Sequence, residues 1–360
     1  MKIMQVIPAF RLAGAEVMCE NLCIALKNAG ETVIAVSLYS EKTAITVRLE
    51  KAGVHIEYLN KKPGFDASII FKLVKLFKRE KPDVVHTHIY ASKYGLIAAV
   101  LAGIEKKVHT VHNVAQKEQG NLGKKVNSFM YKYFNVVPVA LSQEVRKSIS
   151  DVYRLQEDSV PTVFNGIDLS KCITKTNYKV NKIFTILHIG RFMKVKNHET
   201  LIRAFATFVK KHPCSKLQLL GEGEMFDEMQ NLAKTLDVAD KVEFLGLQSN
   251  VYPFLHKADI FCLPSEYEGV PMTLIEAMGT GLPIIASKVG GIPDMLTNNE
   301  DALLIKPTSD ELNEAMERLY QSDTLREEFG KKVKKKAIVF SSEEMAKRYE
   351  RIYLKGGESI

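Results

Sequence analysis

Short apolar runs alternate with longer amphipathic stretches along nearly the whole chain, and this alternation leaves few folds open. Lys2–Pro8, Thr32–Leu38, Asp83–His88, Val108–His112 and Val137–Ser142 read as strands. Between them, Glu16–Asn28, Glu41–Ala52, Ile69–Arg79, Lys93–Ala102 and Leu122–Phe134 read as helices. A second series runs through strands Phe184–Ile189, Leu217–Leu220, Lys241–Leu245, Ile260–Leu263 and Ile284–Ser287. Its helices are Asn197–Lys211, Phe226–Leu236 and one starting near Pro271-Met272 and ending about Gly279. Strand–helix alternation of this kind demands a parallel sheet covered by helices on both faces. At 360 residues the chain exceeds what one core usually serves, and each series carries enough strands for a doubly wound Rossmann-like α/β domain. The polar, strandless stretch Asn177–Lys182 predicts the linker, with one domain at 1–176 and another at 177–342.

Composition narrows the class of partner. The formal charge of +8 and pI near 9.0 point to an anionic one, and nucleotide sugars, nucleic acid and anionic lipid all qualify. Zinc-finger spacing and RNA-binding aromatic motifs are missing, which leaves nucleic acid the least favoured. Five cysteines without ligand-like pairing argue against a disulfide framework or structural zinc, so a reducing cytoplasm is the simplest home. The start MKIMQVIPAF reads as a buried strand rather than a signal peptide, and no run of about 18 apolar residues suggests a membrane span.

The densest local signal is Pro264–Pro293, PSEYEGVPMTLIEAMGTGLPIIASKVGGIP. Pro271 suits the start of a helix because its missing N–H costs nothing there. The helix then aims unpaired amides and its positive dipole end towards Glu268, while Glu276 lies within it. A phosphate for the dipole and hydroxyls for two carboxylates describe a nucleotide sugar. Ligands of open α/β sheets sit beyond strand carboxyl ends, which ranks the remaining candidates. Gly14 follows the first strand and permits close approach of backbone to phosphate, although a plain turn glycine reads equally well. Gly190, Arg191 and Lys196 follow strand Phe184–Ile189; they fit a diphosphate clamp, and by themselves they also fit solvated charges. His86, His88 and His112, with His109 nearby, gather at strand ends; zinc ligation and a structural role both stand, though no acid or cysteine accompanies them. Asn165-Gly166-Ile167-Asp168 is a turn in which Asp168 serves as a cap. A dehydrogenase would need Gly-x-Gly-x-x-Gly after the first strand, and IPAFRLAGAE lacks it.

These segments, in this order, resemble the retaining glycosyltransferases of family 4. The Glu-x7-Glu signature is Glu268 to Glu276, GRFMKVKNHETLIRAF is similar to the family's second motif, and Gly14-Ala15-Glu16 matches its first-domain glycine run. Ala13 stands where the family often has another glycine. The resemblance implies the GT-B architecture, two Rossmann-like domains facing a cleft, with a terminal helix within 343–360 packing back on the first. It implies that the first domain serves the acceptor and the second binds the donor. In that scheme Glu276 takes the ribose hydroxyls, Glu268 lies near the transferred sugar, and the turn of Gly269, Val270, Pro271, Met272 and Thr273 offers amides to sugar or distal phosphate. Gly14 and Gly190 lie against the diphosphate, Arg191 and Lys196 stabilise its leaving charge, and His112 meets the donor sugar. No Asp-x-Asp clamp is present, so neither metal nor cofactor is expected.

The expected function is transfer of a hexose or N-acetylhexosamine, with retention, from a nucleoside diphosphate sugar, UDP ahead of GDP. The acceptor is a glycan or polyprenyl-linked lipid, and the setting is capsule, exopolysaccharide or lipopolysaccharide assembly. A sugar-nucleotide epimerase on the same fold and a non-catalytic nucleotide-sugar-binding partner are the alternatives. Lys124, Lys125 and Lys132 alternate with Phe129, Met130, Tyr131, Tyr133 and Phe134, a pattern that fits either an anionic membrane surface or an ordinary packed helix. The expected location is therefore cytoplasmic, or peripheral on the inner membrane face.

Overall fold

A computed structural model describes residues 1–355. The chain divides into two compact units, Met1–Ile167 with the chain from Ser341 onward, and Asp168–Phe340. In the first, β1 (Lys2–Ile7), β2 (Thr32–Ser37), β3 (His55–Tyr58), β4 (Val84–His88), β5 (Lys106–Val111) and β6 (Val136–Ala140) form one parallel sheet in the order β3-β2-β1-β4-β5-β6. In the second, β7 (Phe184–Ile189), β8 (Ser215–Leu220), β9 (Val242–Phe244), β10 (Ile260–Leu263), β11 (Ile284–Ser287) and β12 (Leu303–Ile305) form another, ordered β12-β11-β10-β7-β8-β9. Each unit thus repeats one topology, with its first and fourth strands side by side at the centre. Order reverses there, between β1 and β4 and between β7 and β10, and the loops leaving those strands diverge to open a crevice.

The central strands are buried from end to end because helices cover both faces. This explains why they lack the polar–apolar alternation of a half-exposed strand, although β4 carries His86, Thr87 and His88 and β7 carries Thr185 and His188. The edges differ. In β3, His55 is exposed and its neighbours are half-buried, and β12 has three residues, so neither carries a strong apolar run. Both escape a reading that depends on such runs. The helices Gln143–Tyr153, Ser309–Tyr320 and Asp323–Ala337 escape it too, though Ser142, Thr308 and Ser322 each accept a backbone N–H as caps.

The division between units falls at 167/168, not at the expected 176/177. Residues 168–182 are polar, but they are tied to the second unit. Lys175 N donates to Thr280 O at 2.9 Å, and the Tyr178 hydroxyl donates to Gly281 O at 2.9 Å. Polarity marked a surface segment and not a free linker. The chain re-enters the first unit at Ser341, whose neighbour Ser342 donates its N–H to Ile167 O at 2.7 Å. Gly166 is required at this crossing, since a Cβ would lie 2.5 Å from Ser341 O. The helix Ser342–Lys355 then buries Tyr349 and Tyr353 in the first unit. The expected segment 343–360 runs past the described residues at its end.

Candidate active site

The second unit's crevice is assembled from the loops after β7 and β10. Past β7 comes Gly190, then exposed Arg191, and a single turn Lys194–Lys196. Asn197 follows in the left-handed region at φ 56, which asparagine tolerates, and its amide donates to Pro264 O at 3.2 Å. Glu266 N donates to Val195 O at 2.8 Å, so the two loops are bonded to each other. On this base Lys196 Nζ donates to Glu268 Oε1 at 2.6 Å, and the Ser265 hydroxyl donates to the same oxygen at 2.6 Å. Glu268 is only 6% exposed. A carboxylate so buried needs a paired cation, so its first role is to hold Lys196 in place. Arg191 makes no ion pair among the described residues and presents its guanidinium outward.

Close backbone packing sets this geometry. A Cβ on Gly221, at φ 138, would lie 2.1 Å from Gly190 O, so the loops after β7 and β8 approach as only glycine allows. Gly290, at φ 55, is tighter: a Cβ there would lie 1.6 Å from Glu268 O. Gly291 N donates to that oxygen at 3.1 Å. The loop after β11 therefore buttresses the Glu268 backbone. The Gly290-Gly291 pair of the Pro264–Pro293 segment makes that contact possible, and neither it nor the bond carried by Ser265 was assigned by any spacing argument.

The helix begins one residue later than its proline. Pro271 is the N-cap, at φ −71 and ψ 124, and Met272–Thr280 is helical. The first turn has no side-chain cap; Leu274 N donates to Pro271 O at 3.1 Å, which leaves the Met272 and Thr273 amides as the ones without an intrahelical partner. Gly269 has no atom within 4 Å of an added Cβ, while Val270 and Pro271 are buried and Met272 and Thr273 half-buried. The helix ends at Gly281, φ 79, with Leu282 N donating to Ala277 O at 3.0 Å in a Schellman turn.

Glu276 is partly buried and its carboxyl has no hydrogen bond or ion pair among the described residues. Burial pushes that carboxyl up to about 7, against a weaker lowering pull from Lys171. Folding thus favours the protonated form. This stabilisation is complete below the unfolded value of 4.5 and is lost as pH rises through about 7. Glu276→Gln is expected to raise stability above pH 7 by on the order of 2–3 kcal/mol and to match the parent below pH 4.5. Thermal melts at pH 4.5 and 8 check this; equal gains at both would refute it.

In the first unit, Gly14 is the first residue of the helix Gly14–Asn28, with open space around it and no side-chain cap. His112 lies one residue beyond β5 and is half-buried. His86 gives one ring nitrogen to Tyr353 and the other to Thr110, each at 2.7 Å, and His88 gives its two to His112 at 3.0 Å and Gln5 at 2.8 Å. Each ring nitrogen of His86 and His88 thus has a protein hydrogen-bond partner. No group of three or more His, Cys, Asp or Glu among the described residues is placed to hold a metal. Asp168 accepts from Ser170 N at 3.0 Å and from its hydroxyl at 2.6 Å, a cap. Gln5, Tyr349 and Tyr353 were overlooked. The signal was a lone amide inside the apolar strand KIMQVI.

Two doubly wound units of this order, with charged and glycine-rich loops at the second unit's switch point, define a GT-B protein. Comparison with known proteins carries this to a family. The model for glycosyltransferase family 4 matches residues 12–171, and that for glycosyl transferases group 1 matches 173–336. The chain is 30% identical over 307 residues to N-acetyl-alpha-D-glucosaminyl L-malate synthase of Bacillus anthracis, covering 81% of this chain and 79% of that one. It is 30% identical over 264 residues to UDP-Gal:alpha-D-GlcNAc-diphosphoundecaprenol alpha-1,3-galactosyltransferase of Escherichia coli, covering 67% of each. Among solved structures, HepE of Anabaena in complex with UDP superposes with a TM-score of 0.84 at 18% identity, over 99% of this chain and 100% of that one. The chain belongs to the group 1, family 4 glycosyltransferases.

Proposed function

We propose that the protein transfers a hexose or N-acetylhexosamine from a UDP-sugar, with retention and without metal, to a lipid-linked or glycan acceptor of cell-surface polysaccharide assembly. The observation that carries this is the meeting of exposed Arg191 and ion-paired Lys196 with the open first turn of Met272–Thr280 at one strand-end crevice. Diphosphate oxygens suit the cations and amides. The ribose diol suits Glu276, whose ionised form it would favour by donating to both oxygens. The turn Gly269–Thr273 then faces the sugar. From the first unit we assign Gly14 to the diphosphate and His112 to the sugar.

In the reaction the anomeric C–O bond to phosphate breaks as the acceptor oxygen bonds to the same face. The departing phosphate oxygen takes the acceptor's hydroxyl proton. Charge accumulates on the diphosphate, where Arg191, Lys196 and the helix amides are already in position, and such preorganised donors usually supply the largest catalytic term. The names of the relatives support the donor and acceptor classes: one structure holds UDP, and one relative uses UDP-Gal and a diphosphoundecaprenol acceptor.

A membrane-facing acceptor fits the helix Asn121–Tyr133. Leu122, Phe129 and Tyr133 are 64%, 51% and 69% exposed, with Lys125 and Lys132 exposed between them. Met130 and Tyr131 are buried and Phe134 half-buried, so the expected aromatic stretch is a narrower stripe. No described helix is long and apolar enough to cross a membrane. Replacing Lys125 and Lys132 by glutamine should weaken binding to vesicles containing anionic lipid by about 30-fold, at about 1 kcal/mol per lysine, with melting unchanged. Unaltered vesicle binding would remove this face from consideration.

The function itself is tested by incubation with UDP-glucose, UDP-galactose and UDP-N-acetylglucosamine, with polyprenyl diphosphate-linked sugars, in EDTA. An α-linked product from an α-configured donor is expected. Interconversion of the nucleotide sugars without any acceptor would mark an epimerase instead.

A further inference from the structure

A continuous chain of buried hydrogen bonds runs beneath the carboxyl ends of β1, β4 and β5. Gln5 is its pivot. One end of the Gln5 amide meets Tyr353 OH at 3.1 Å, and the other meets His88 Nε2 at 2.8 Å. From His88, Nδ1 continues to His112 Nε2 at 3.0 Å. From Tyr353, the hydroxyl continues to His86 Nδ1 at 2.7 Å, then His86 Nε2 to Thr110 at 2.7 Å, and Thr110 to Tyr349 OH at 2.7 Å. Gln5, His86, His88 and Thr110 have no exposed surface, so every polar atom here must find its partner within the chain.

Such a chain can run in either direction, and the distances select one. With the amide nitrogen towards Tyr353, the 3.1 Å contact is an N–H···O bond and the 2.8 Å contact is His88 N–H donating to Gln5 Oε1, both ordinary lengths. Reversal would make the 3.1 Å contact an O–H···O bond, beyond the usual range of about 2.5–3.0 Å. We infer that Gln5 is a positioning residue that, through His88, fixes His112 with its proton on Nε2. His88 donates from Nε2 to Gln5, so its Nδ1 can only accept, and His112 must donate to it from Nε2. His112 Nδ1 is then left as a bare acceptor. Its backbone is held separately, because His112 N donates to Glu118 Oε1 at 3.0 Å.

His112 in this state can accept a hydrogen bond from a sugar hydroxyl and cannot donate one. That consequence rests on the proposed contact of His112 with the donor sugar. Burial lowers His112 to about 3 and His88 well below its ordinary value, and the neighbouring histidines add to this. The titratable groups facing the pair are His86, His109, Glu118 and, from the helix Ser342–Lys355, Tyr349 and Tyr353.

Nitrogen-15 NMR of histidine-labelled protein reads the tautomer directly, with the His112 signals assigned from their loss in His112→Asn. A proton on Nε2 and a bare Nδ1 are expected across pH 6 to 8; a proton on Nδ1 overturns the inference. Gln5→Leu removes the acceptor facing His88, and Tyr353→Phe is a milder variant that unlocks the amide if the first fails to fold. Either should mix the two tautomers and lower kcat about 5- to 10-fold, the worth of one hydrogen bond. A His112 tautomer unchanged in both variants also overturns it. If the parent shows the expected tautomer while His112→Ala leaves donor kinetics intact, the positioning chain stands and the assignment of His112 to the donor sugar falls.

Discussion

Lys196→Ala is expected to lower kcat about a thousandfold, the scale of losing a preorganised donor to developing charge. It should also destabilise the second unit, because Lys196 pairs with Glu268 at 2.6 Å and Glu268 is buried. Removing one partner of a buried pair costs about 3–5 kcal/mol; Lys196 keeps some contact with solvent, so about 2–3 kcal/mol is the better expectation here. The two effects separate in a double variant. Lys196→Ala with Glu268→Gln leaves no orphaned charge, so stability should recover while kcat stays low. Recovery of both would mean that Lys196 serves only the fold. Recovery of neither would mean that the orphaned Glu268 charge is not what destabilises the single variant.

Gly290→Ala is expected to have the largest structural effect of any single methyl added to the site. The new carbon would meet Glu268 O at 1.6 Å, a distance that no relaxation of a side chain can relieve because the obstacle is backbone. The left-handed φ of 55 adds about 1–2 kcal/mol for a residue with a Cβ. Overpacking costs about 1–3 kcal/mol where neighbours yield, and here they cannot. The loop after β11 should retreat, releasing Glu268 and with it Lys196, so UDP affinity falls by at least about 100-fold even in protein that folds. Gly269→Ala is the control, since an added Cβ there meets nothing within 4 Å. It should melt with the parent and lose activity only if sugar lies against it. Melting curves and UDP titrations of both variants settle the comparison. Equal behaviour would show that the glycine pair is incidental.

The strands that position the site were legible because each is buried on both faces and so reads as a mainly apolar run, broken in β7 only by Thr185 and His188; β7 and β10 fall where the sequence placed them. The edge strands β3 and β12 were not, since partial exposure and shortness dilute the same signal. The boundary was misplaced for a related reason. Composition registers that 177–182 is polar, but not that Arg326 donates to Tyr178 O at 3.0 Å and holds the segment on the second unit. Within the site, residue types and order marked Glu268 and Lys196 separately. Their pairing depends on two loops meeting from strands some seventy residues apart in sequence, which no local pattern encodes. Gln5 is the opposite case. A buried amide in an apolar strand is a plain anomaly, and its partners on β4 and the C-terminal helix appear only when the sheet is assembled.

The central claim is that the second unit's switch point binds a nucleoside diphosphate sugar without metal. Isothermal titration with UDP, GDP and NAD, in EDTA, on the parent and on Glu276→Ala tests it most directly. Binding of UDP or GDP that survives EDTA and weakens in the variant is the predicted result. Binding of NAD alone, binding abolished by EDTA, or equal affinity in parent and variant would contradict it.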